Sequence, residues 1–133
     1  MAFYGSVERH RTFRTEALRQ FAGDYPSPHY RCETLPRLSY GDDSFDLLLS
    51  SHLLFVYDDR LDLDFHIATI AEMLRVAKEV RIFPLVDYKN SCRNEVQNLS
   101  PLVEAVRERF GGEIVEVGFE FQPGAKRMLC IVR

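Results

Sequence analysis

The sequence predicts an α/β domain whose sheet is mostly parallel and ends in an antiparallel β-hairpin. Residues 45–49 form an unbroken apolar run directly after a turn, which is typical of a strand buried on both faces of a parallel sheet. A periodic apolar helix and a second apolar run follow, in the order of a right-handed strand–helix–strand unit. Two further strand-like segments flank a turn at residues 122–126 and predict the hairpin.

The N-terminal segment predicts a helix at residues 6–22. Its apolar side chains form an imperfect stripe, and four arginines occupy the remaining faces. Gly23 and the prolines after it end this helix, and a short strand is expected at residues 31–33. We therefore divide the chain into an N-terminal helix with a linker, residues 1–30, and an α/β domain, residues 31–133.

The central unit starts with the strand at residues 45–49. Either Asp62 or Asp64 can cap the helix that follows, because a carboxylate at this position accepts a hydrogen bond from a free backbone N–H. The apolar positions of that helix extend over residues 65–77. Residues 79–86 then predict the second strand of the unit.

The C-terminal part predicts one more helix and the hairpin. Ser100 is followed by proline, a combination typical of a helix start, and Glu104 is expected to complete a capping box. The helix ends at the two glycines after Phe110. Residues 113–121 and 128–132 are the two expected strands of the hairpin.

Composition and charge limit the classes of function. The 133 residues suit one ordinary domain, and 46% hydrophobic with 28% charged residues argues against a disordered chain. A formal net charge of −3 weighs against a nucleic-acid partner. The arginines of the first helix are interpreted as a solvated face, with contact to an anionic substrate or RNA as the alternative.

Other sequence features bear on location. No apolar run is long enough to cross a bilayer, and the first residues lack the apolar core of a secretory signal. Cys32, Cys92 and Cys130 are an odd number of distant cysteines, which indicates reduced thiols. We therefore expect a cytoplasmic protein with no membrane partner.

A longer motif at the first strand resembles a known enzyme family. Residues 38–52 read LSYGDDSFDLLLSSH, which is similar to the LPF-x-D-x-SFD word that enters the fourth strand of class I S-adenosylmethionine-dependent methyltransferases. The stretch IAEMLRV at residues 70–76 resembles the next helix of that family, and an antiparallel last strand is characteristic of its fold. The resemblance covers residues 31–133 and implies the C-terminal half of a Rossmann-like methyltransferase sheet. A closer resemblance is to uncharacterised methyltransferase-like proteins that share the runs SHLLFVY, EVRIFPL and FEFQPGA.

The chain departs from the family pattern in its first part. Only Gly5 and Gly23 precede residue 31, so the glycine-rich G-x-G-x-G loop that approaches the methionine end of the cofactor is absent. The acidic residue that binds the ribose hydroxyls is absent with it. The resemblance therefore implies a truncated methyltransferase.

The resemblance also implies which residues lie near S-adenosylmethionine. Glu33, Thr34 and Leu35 would form the adenine edge, and Ser50 would lie at the carboxyl end of the strand. Many family members carry an acidic residue before the leucine, where this chain has Thr34, and Glu33 is placed to substitute for it.

Two further residues would face the methyl group or its acceptor. Transfer from a sulfonium is an in-line displacement, so positioning dominates and a base is needed only if the acceptor loses a proton. His52 is the candidate base, since it follows a strand at the end where α/β sheets bind ligands; alternatively, its ring packs against the helix start with Asp58 or backbone as partners. Tyr57 is a candidate acceptor contact, with a place at the rim of the core as the alternative.

The acidic residues from Asp58 to Asp64 lack the spacing of an EF-hand, and no metal site is predicted.

Truncation has a physical consequence for the strand at residues 45–49. In the family topology the missing first strand lies beside it, so its edge is expected to be unpaired. Residues 31–33 could cover this edge, two copies could pair through it as a homodimer, or a complementary chain could supply the missing half. Accordingly, the first functional hypothesis is a methyltransferase for an unknown acceptor that needs a partner chain. The alternative is a non-catalytic binding or interaction module that kept the fold and lost the cofactor site, and a gene remnant is the third option.

Overall fold

The computed structural model describes residues 5–25, 27–86, 99–120 and 125–133. These residues form three helices and a four-stranded sheet. The helices are α1 (Val7–Asp24), α2 (Leu63–Val76) and α3 (Pro101–Phe110). The strands are β1 (Phe45–Ser51), β2 (Ala77–Phe83), β3 (Glu113–Glu116) and β4 (Arg127–Val132).

The chain divides into two compact units, Met1–Cys32 and Glu33–Arg133. The first unit contains α1, which begins after Ser6, whose hydroxyl accepts a hydrogen bond from the backbone N–H of Arg9. None of the residues of α1 is buried. The second unit contains the sheet, α2, α3 and the hydrophobic core. Over the ranges given above, the structure has no helix with the length and apolar character needed to cross a membrane.

The sheet has the strand order β1-β2-β4-β3. β1 and β2 are parallel, and β4 is antiparallel to both β2 and β3. The predicted α/β class is confirmed as a mixed α/β fold with a C-terminal antiparallel hairpin. The predicted mostly parallel sheet is not confirmed. β4 lies between β2 and β3 and is antiparallel to both, so only the pair of β1 with β2 is parallel among the described strands.

One face of the sheet carries the core. The register places Leu48 and Ser50 of β1 on the same face as Val80 and Ile82 of β2. This inner face continues onto β4, and α2 and α3 pack against it. The buried cluster consists of Leu54, Phe55, Ile70, Met73, Ala77, Val80, Ile82, Leu85, Val103, Val106, Leu129 and Ile131.

The opposite, outer face is apolar at β1 and exposed. Phe45, Leu47 and Leu49 lie there with 38%, 41% and 67% of their surface accessible. The expectation that residues 45–49 are buried on both faces is therefore wrong for this chain. Its physical reason is the placement of α2 and α3, which both cover the inner face.

The short strand predicted at residues 31–33 does not form. The nearest β-type contact is a single bridge between Thr34 and Arg37. The carboxylate of Glu33 accepts a hydrogen bond from the backbone N–H of Ser39 at 2.9 Å, which folds this segment back on itself. Residues 31–33 therefore do not cover the edge of β1, and β1 has a hydrogen-bonded neighbour only on the β2 side among the described residues.

Capping residues set where α2 and α3 begin. Asp62, not Asp64, caps α2: its Oδ1 accepts a hydrogen bond from the N–H of Phe65 at 2.8 Å. The hydroxyl of Ser100 caps α3 in the predicted way. The capping box is wrong, because Glu104 lies one position too far along and its carboxylate accepts from Arg107 instead. Residues 87–98, predicted as irregular, lie outside the described residues.

The hairpin depends on Gly112. Its φ is +103°, and a Cβ at this position would lie 2.8 Å from the carbonyl oxygen of Cys130 on β4. The first strand is shorter than predicted and ends at Glu116. The expected turn at residues 122–126 falls mostly on residues 121–124, which are outside the described ranges.

Candidate functional site

The carboxyl end of β1 is where the candidate site begins. Ser50 is 7% exposed and lies opposite Ile82 of β2. The backbone N–H of His52 donates to the carbonyl of Phe83 at 2.8 Å, so the turn after β1 is tied to the end of β2. His52 and Phe55 have φ values of +57° and +67°, a region that is costly for residues with a Cβ. The chain therefore turns sharply here, and the backbone is strained at a predicted site residue.

The imidazole of His52 is half-buried between β1 and β2. Its Nδ1 lies 2.7 Å from the hydroxyl oxygen of Ser51, and its ring packs edge-on against Phe83 at 5.6 Å between centroids. These contacts fix the ring orientation at the end of the sheet where α/β domains bind ligands. The structure thus places the candidate base against the end of β2.

Tyr57 lies further along the same connection between β1 and α2. Its side chain is 38% exposed, and the guanidinium carbon of Arg60 lies 5.7 Å from the centre of its ring. Its carbonyl accepts hydrogen bonds from the N–H groups of Arg60 and Leu61. The tyrosine is therefore accessible at the surface of a hydrogen-bonded turn.

A cavity of about 420 Å³ opens along the edge of β1 that faces away from β2. This volume falls within the range of small-molecule sites. The cavity is lined by Glu33, Leu35, Leu38, Tyr40, Phe45, Leu47, Leu48, Leu49 and Met73. Glu33 and Leu35, two of the four residues predicted to hold the cofactor, are thus brought together in one wall. Thr34 and Ser50 are not among the lining residues.

Glu33 is the charged group of this wall. Its carboxylate accepts hydrogen bonds from both the backbone N–H and the hydroxyl of Ser39. The carbonyl of Thr34, in contrast, accepts from the N–H of Arg37 at 3.1 Å in the turn that carries Leu35.

Glu72 and Arg75 of α2 hold the wall in place, and neither was singled out as a site residue. Glu72 accepts from the N–H of Leu38 at 2.8 Å and pairs with Arg75. Arg75 also donates to the carbonyl of Tyr40 and to the carboxylate of Asp42. The hydrogen bonds from Arg75 and Leu38 lower the pKa of Glu72 to about 2, and Glu72 and Asp42 raise the pKa of Arg75. The E-x-x-R spacing within IAEMLRV is the sequence signal that could have found this pair.

His66 is a third residue that sequence reasoning missed. It is fully buried, its Nδ1 lies 2.7 Å from the carbonyl of Asp62, and its Nε2 accepts from the N–H of Phe55 at 3.1 Å. Burial lowers the pKa of this imidazole. His66 therefore anchors the turn after β1 to the start of α2. Its position among the polar residues of α2 gives no signal that distinguishes it from a solvated histidine.

The described ranges contain no group of three His, Cys, Asp or Glu side chains placed to hold a metal ion. Asp62, one of the acidic residues before α2, is used as the helix cap.

Together, these features define a mixed α/β domain with a ligand-sized apolar cavity along the edge of β1 that faces away from β2. No family model matches the sequence, and no solved structure matches it. A curated relative is an uncharacterised protein of Methanocaldococcus jannaschii, 31% identical over 132 residues. The match covers 98% of this chain and 57% of the relative, so the chain spans little more than half the length of that protein.

Proposed function

We propose that the chain is the acceptor-side half of an S-adenosylmethionine-dependent methyltransferase, which transfers a methyl group only when a further polypeptide completes the cofactor site. The observation that carries the proposal is the cavity beside β1, whose wall contains Glu33 and Leu35. These are residues that the methyltransferase resemblance assigns to the adenine edge. The cavity also runs along the strand that leads to His52.

The sheet adds support for a partial Rossmann-like assignment. β1 and β2 form a parallel pair joined by α2, and β4 is an antiparallel last strand. Both features agree with the resemblance to the C-terminal half of the methyltransferase fold. Because β4 is antiparallel to both of its neighbours, the described sheet has two antiparallel pairs and one parallel pair.

The residues present fit one end of the cofactor. Leu35 and Leu38 offer apolar contact for a flat aromatic base, and Glu33 offers an acceptor for its amino group or for a hydroxyl. The described lining contains no cationic side chain to pair with the carboxylate of the methionine end. Because the G-x-G-x-G loop is also missing from the sequence, that end must be held by residues from elsewhere.

S-adenosylmethionine supplies an electrophilic methyl group on a sulfonium. In this proposal the chain's own contribution is to bind the adenine end and to orient the acceptor. In this proposal the imidazole of His52, oriented by Ser51 and Phe83, holds or accepts a proton of the acceptor. Tyr57 contacts the acceptor from the accessible turn, and Ser50 supports the carboxyl end of β1.

The setting proposed for this activity is the cytoplasm. Cys32 and Cys130 carry free thiols, which suits a reducing compartment. The net charge of −3 favours an acceptor other than nucleic acid.

Titration calorimetry with S-adenosylmethionine and with adenosine tests the proposal. We expect weak binding of both by the isolated chain, because only the adenine end has its residues. Glu33→Gln should weaken this binding, while Glu113→Gln, an exposed glutamate of β3, serves as the matched control and should not. The absence of heat and of thermal stabilisation at millimolar ligand would contradict the methyltransferase assignment.

A non-catalytic binding module is the second candidate. It is favoured by the engagement of Glu33 with Ser39, which gives the carboxylate a structural role without any cofactor. In that case Glu33→Gln would lower thermal stability and change no ligand affinity.

A further inference from the structure

Ser51, the last residue of β1, places a hydroxyl beside the candidate base His52. Because side chains alternate along a strand, Ser51 projects from the outer face together with Leu47 and Leu49, which line the cavity. Ser51 is exposed and lies about 7 Å beyond Leu49 along β1. The neighbouring Ser50 faces the core and is nearly inaccessible. Ser51 therefore offers a reachable hydroxyl at the end of β1 next to the cavity.

The two ring nitrogens of His52 differ in their access. Nε2 is shielded from solvent. Nδ1 lies 2.7 Å from the hydroxyl oxygen of Ser51, and the edge-on contact with Phe83 fixes the ring in this orientation. A ring nitrogen has one position for a hydrogen bond, and at Nδ1 the hydroxyl of Ser51 occupies it. In this arrangement, a proton from outside reaches the imidazole through Ser51.

The backbone holds Ser51 and His52 in this relation. Ser51 pairs with Phe83 in the sheet, and the N–H of His52 donates to the carbonyl of Phe83 at 2.8 Å, so both residues are tied to the same residue of β2. These contacts also keep the φ of His52 at +57°. Strained backbone of this kind is concentrated at functional sites, where the surrounding structure maintains it. The geometry of the pair is thus built into the end of the sheet.

We propose that Ser51 is a catalytic residue that relays the proton of the methyl acceptor to Nδ1 of His52. This inference rests on the proposed function and deepens it. It also names the class of acceptor, a hydroxyl or an N–H group, because only an acceptor atom that bears hydrogen needs the relay.

The relay leaves every atom and charge accounted for. As the acceptor atom forms its bond to the methyl carbon, the bond from that carbon to sulfur breaks and its electron pair stays on sulfur. The acceptor proton passes to Oγ of Ser51 while the hydroxyl proton of Ser51 passes to Nδ1 of His52. The step begins with one positive charge on sulfur and ends with one on the imidazolium, which then releases its proton to water.

Labelling with phenylmethanesulfonyl fluoride tests the relay without a cofactor or an acceptor. Oγ of Ser51 forms a bond to the sulfonyl sulfur, fluoride leaves, and the hydroxyl proton passes to His52, so labelling needs the same transfer from Ser51 to His52. Mass spectrometry of peptides measures the rate at each serine. We expect Ser51 to react about 100-fold faster than Ser44, an exposed serine at the other end of β1 whose hydroxyl donates to the carbonyl of Gly41.

Variants separate proton transfer from simple exposure. His52→Asn should lower the rate at Ser51 to that of Ser44, because asparagine tolerates the positive φ but is not a base. Ser51→Thr keeps a hydroxyl and should keep the labelling, while Ser44→Ala should leave the rate at Ser51 unchanged. Nitrogen NMR of the imidazole reports its tautomer, and we expect the hydrogen on Nε2 with Nδ1 accepting from Ser51. Thermal unfolding confirms that each variant is folded.

The outcomes distinguish the relay from the proposed function. Labelling of Ser51 at the rate of Ser44, or labelling that persists in His52→Asn, would overturn the relay, as would a neutral imidazole with its hydrogen on Nδ1. A reactive Ser51 in a chain that gives no heat with S-adenosylmethionine would uphold the transfer to His52 and contradict the proposed function. A chain that binds S-adenosylmethionine with an unreactive Ser51 would do the reverse.

Discussion

The backbone N–H of Phe55 donates a hydrogen bond to Nε2 of His66, 3.1 Å away. The two rings also stack, with 5.1 Å between their centroids. Phe55 belongs to the strained turn after β1, and His66 belongs to the first turns of α2. The buried imidazole of His66 thus connects the turn after β1 to α2. His66 can accept the hydrogen bond from Phe55 only while its Nε2 is unprotonated.

The first prediction is a loss of stability in mild acid that depends on His66. Burial lowers the pKa of His66 in the folded protein, so the unfolded chain binds a proton more readily. The free energy of unfolding should therefore be constant above the ordinary histidine pKa of about 6.5 and should fall as pH drops below it. Chemical denaturation between pH 8 and pH 5 measures this slope.

Substitution of His66 separates this effect from general acid sensitivity. His66→Ala leaves the N–H of Phe55 without its acceptor and opens a cavity, at a cost of about 3 kcal/mol. The slope near pH 6 should vanish in this variant. His29→Ala, at an exposed histidine, should keep both the stability and the slope. Equal slopes in the two variants would contradict the role given to His66.

The second prediction concerns Glu72 at lower pH. The pKa of Glu72 is about 2 in the fold and lies near 4.5 in the absence of its partners. Its contribution is complete above the higher of these values and is lost as pH falls towards the lower one. Glu72→Gln should therefore flatten the stability profile below about pH 4.5, whereas Glu108→Gln on α3 should leave it as in the parent.

The same pair controls the wall of the cavity. Arg75→Met removes the donors to Tyr40 and Asp42, so amide exchange at residues 38–43 should accelerate while that of β2 stays slow. Unchanged exchange in this segment would show that Glu72 alone positions the wall.

The third prediction addresses the strained backbone at His52. Asparagine tolerates a positive φ, and valine does not, because its branched Cβ crowds the backbone there. His52→Asn should stay within about 1 kcal/mol of the parent stability, while His52→Val should cost about 2 kcal/mol or more. Denaturant unfolding of the two variants measures the difference, and equal values would show that the turn relaxes without strain.

The fourth prediction is that Gly112 cannot be replaced. Gly112→Ala places a Cβ against the carbonyl of Cys130 and the side chain of Ile131 in a backbone conformation that favours glycine. We expect a loss of about 2–4 kcal/mol, comparable with other overpacked or strained positions. Gly118→Ala meets open space and should be nearly neutral; a similar loss in both would point to a general effect on the hairpin.

Local patterns in the sequence were sufficient for most elements of the second unit. The apolar period of residues 65–77 predicts α2, and Ser100 with the following proline predicts the start of α3. These signals succeed because capping and amphipathicity act within a few residues. The exposure of β1 was not predictable in this way, since it depends on which face of the sheet α2 and α3 cover.

The residues of the candidate site show the same difference between local signals and long-range contacts. Glu33 and Leu35, for which a cofactor contact stays a prediction, line the cavity. The contacts by which Arg75 holds the cavity wall join it to Tyr40 and Asp42, more than thirty positions away, and no local pattern indicates them. The order of β4 in the sheet likewise follows from long-range pairing.

That placement of β4 also bears on the order of events during synthesis. β2 has one parallel neighbour that is made before it and one antiparallel neighbour, Arg127–Val132, that is made more than forty residues later. A chain emerging from the ribosome therefore presents the second edge of β2 to its surroundings until β4 is made, and the length of the intervening segment, which includes α3 and β3, makes this closure slow. Pairing with β4 therefore converts an aggregation-prone edge of β2 into the interior of the sheet.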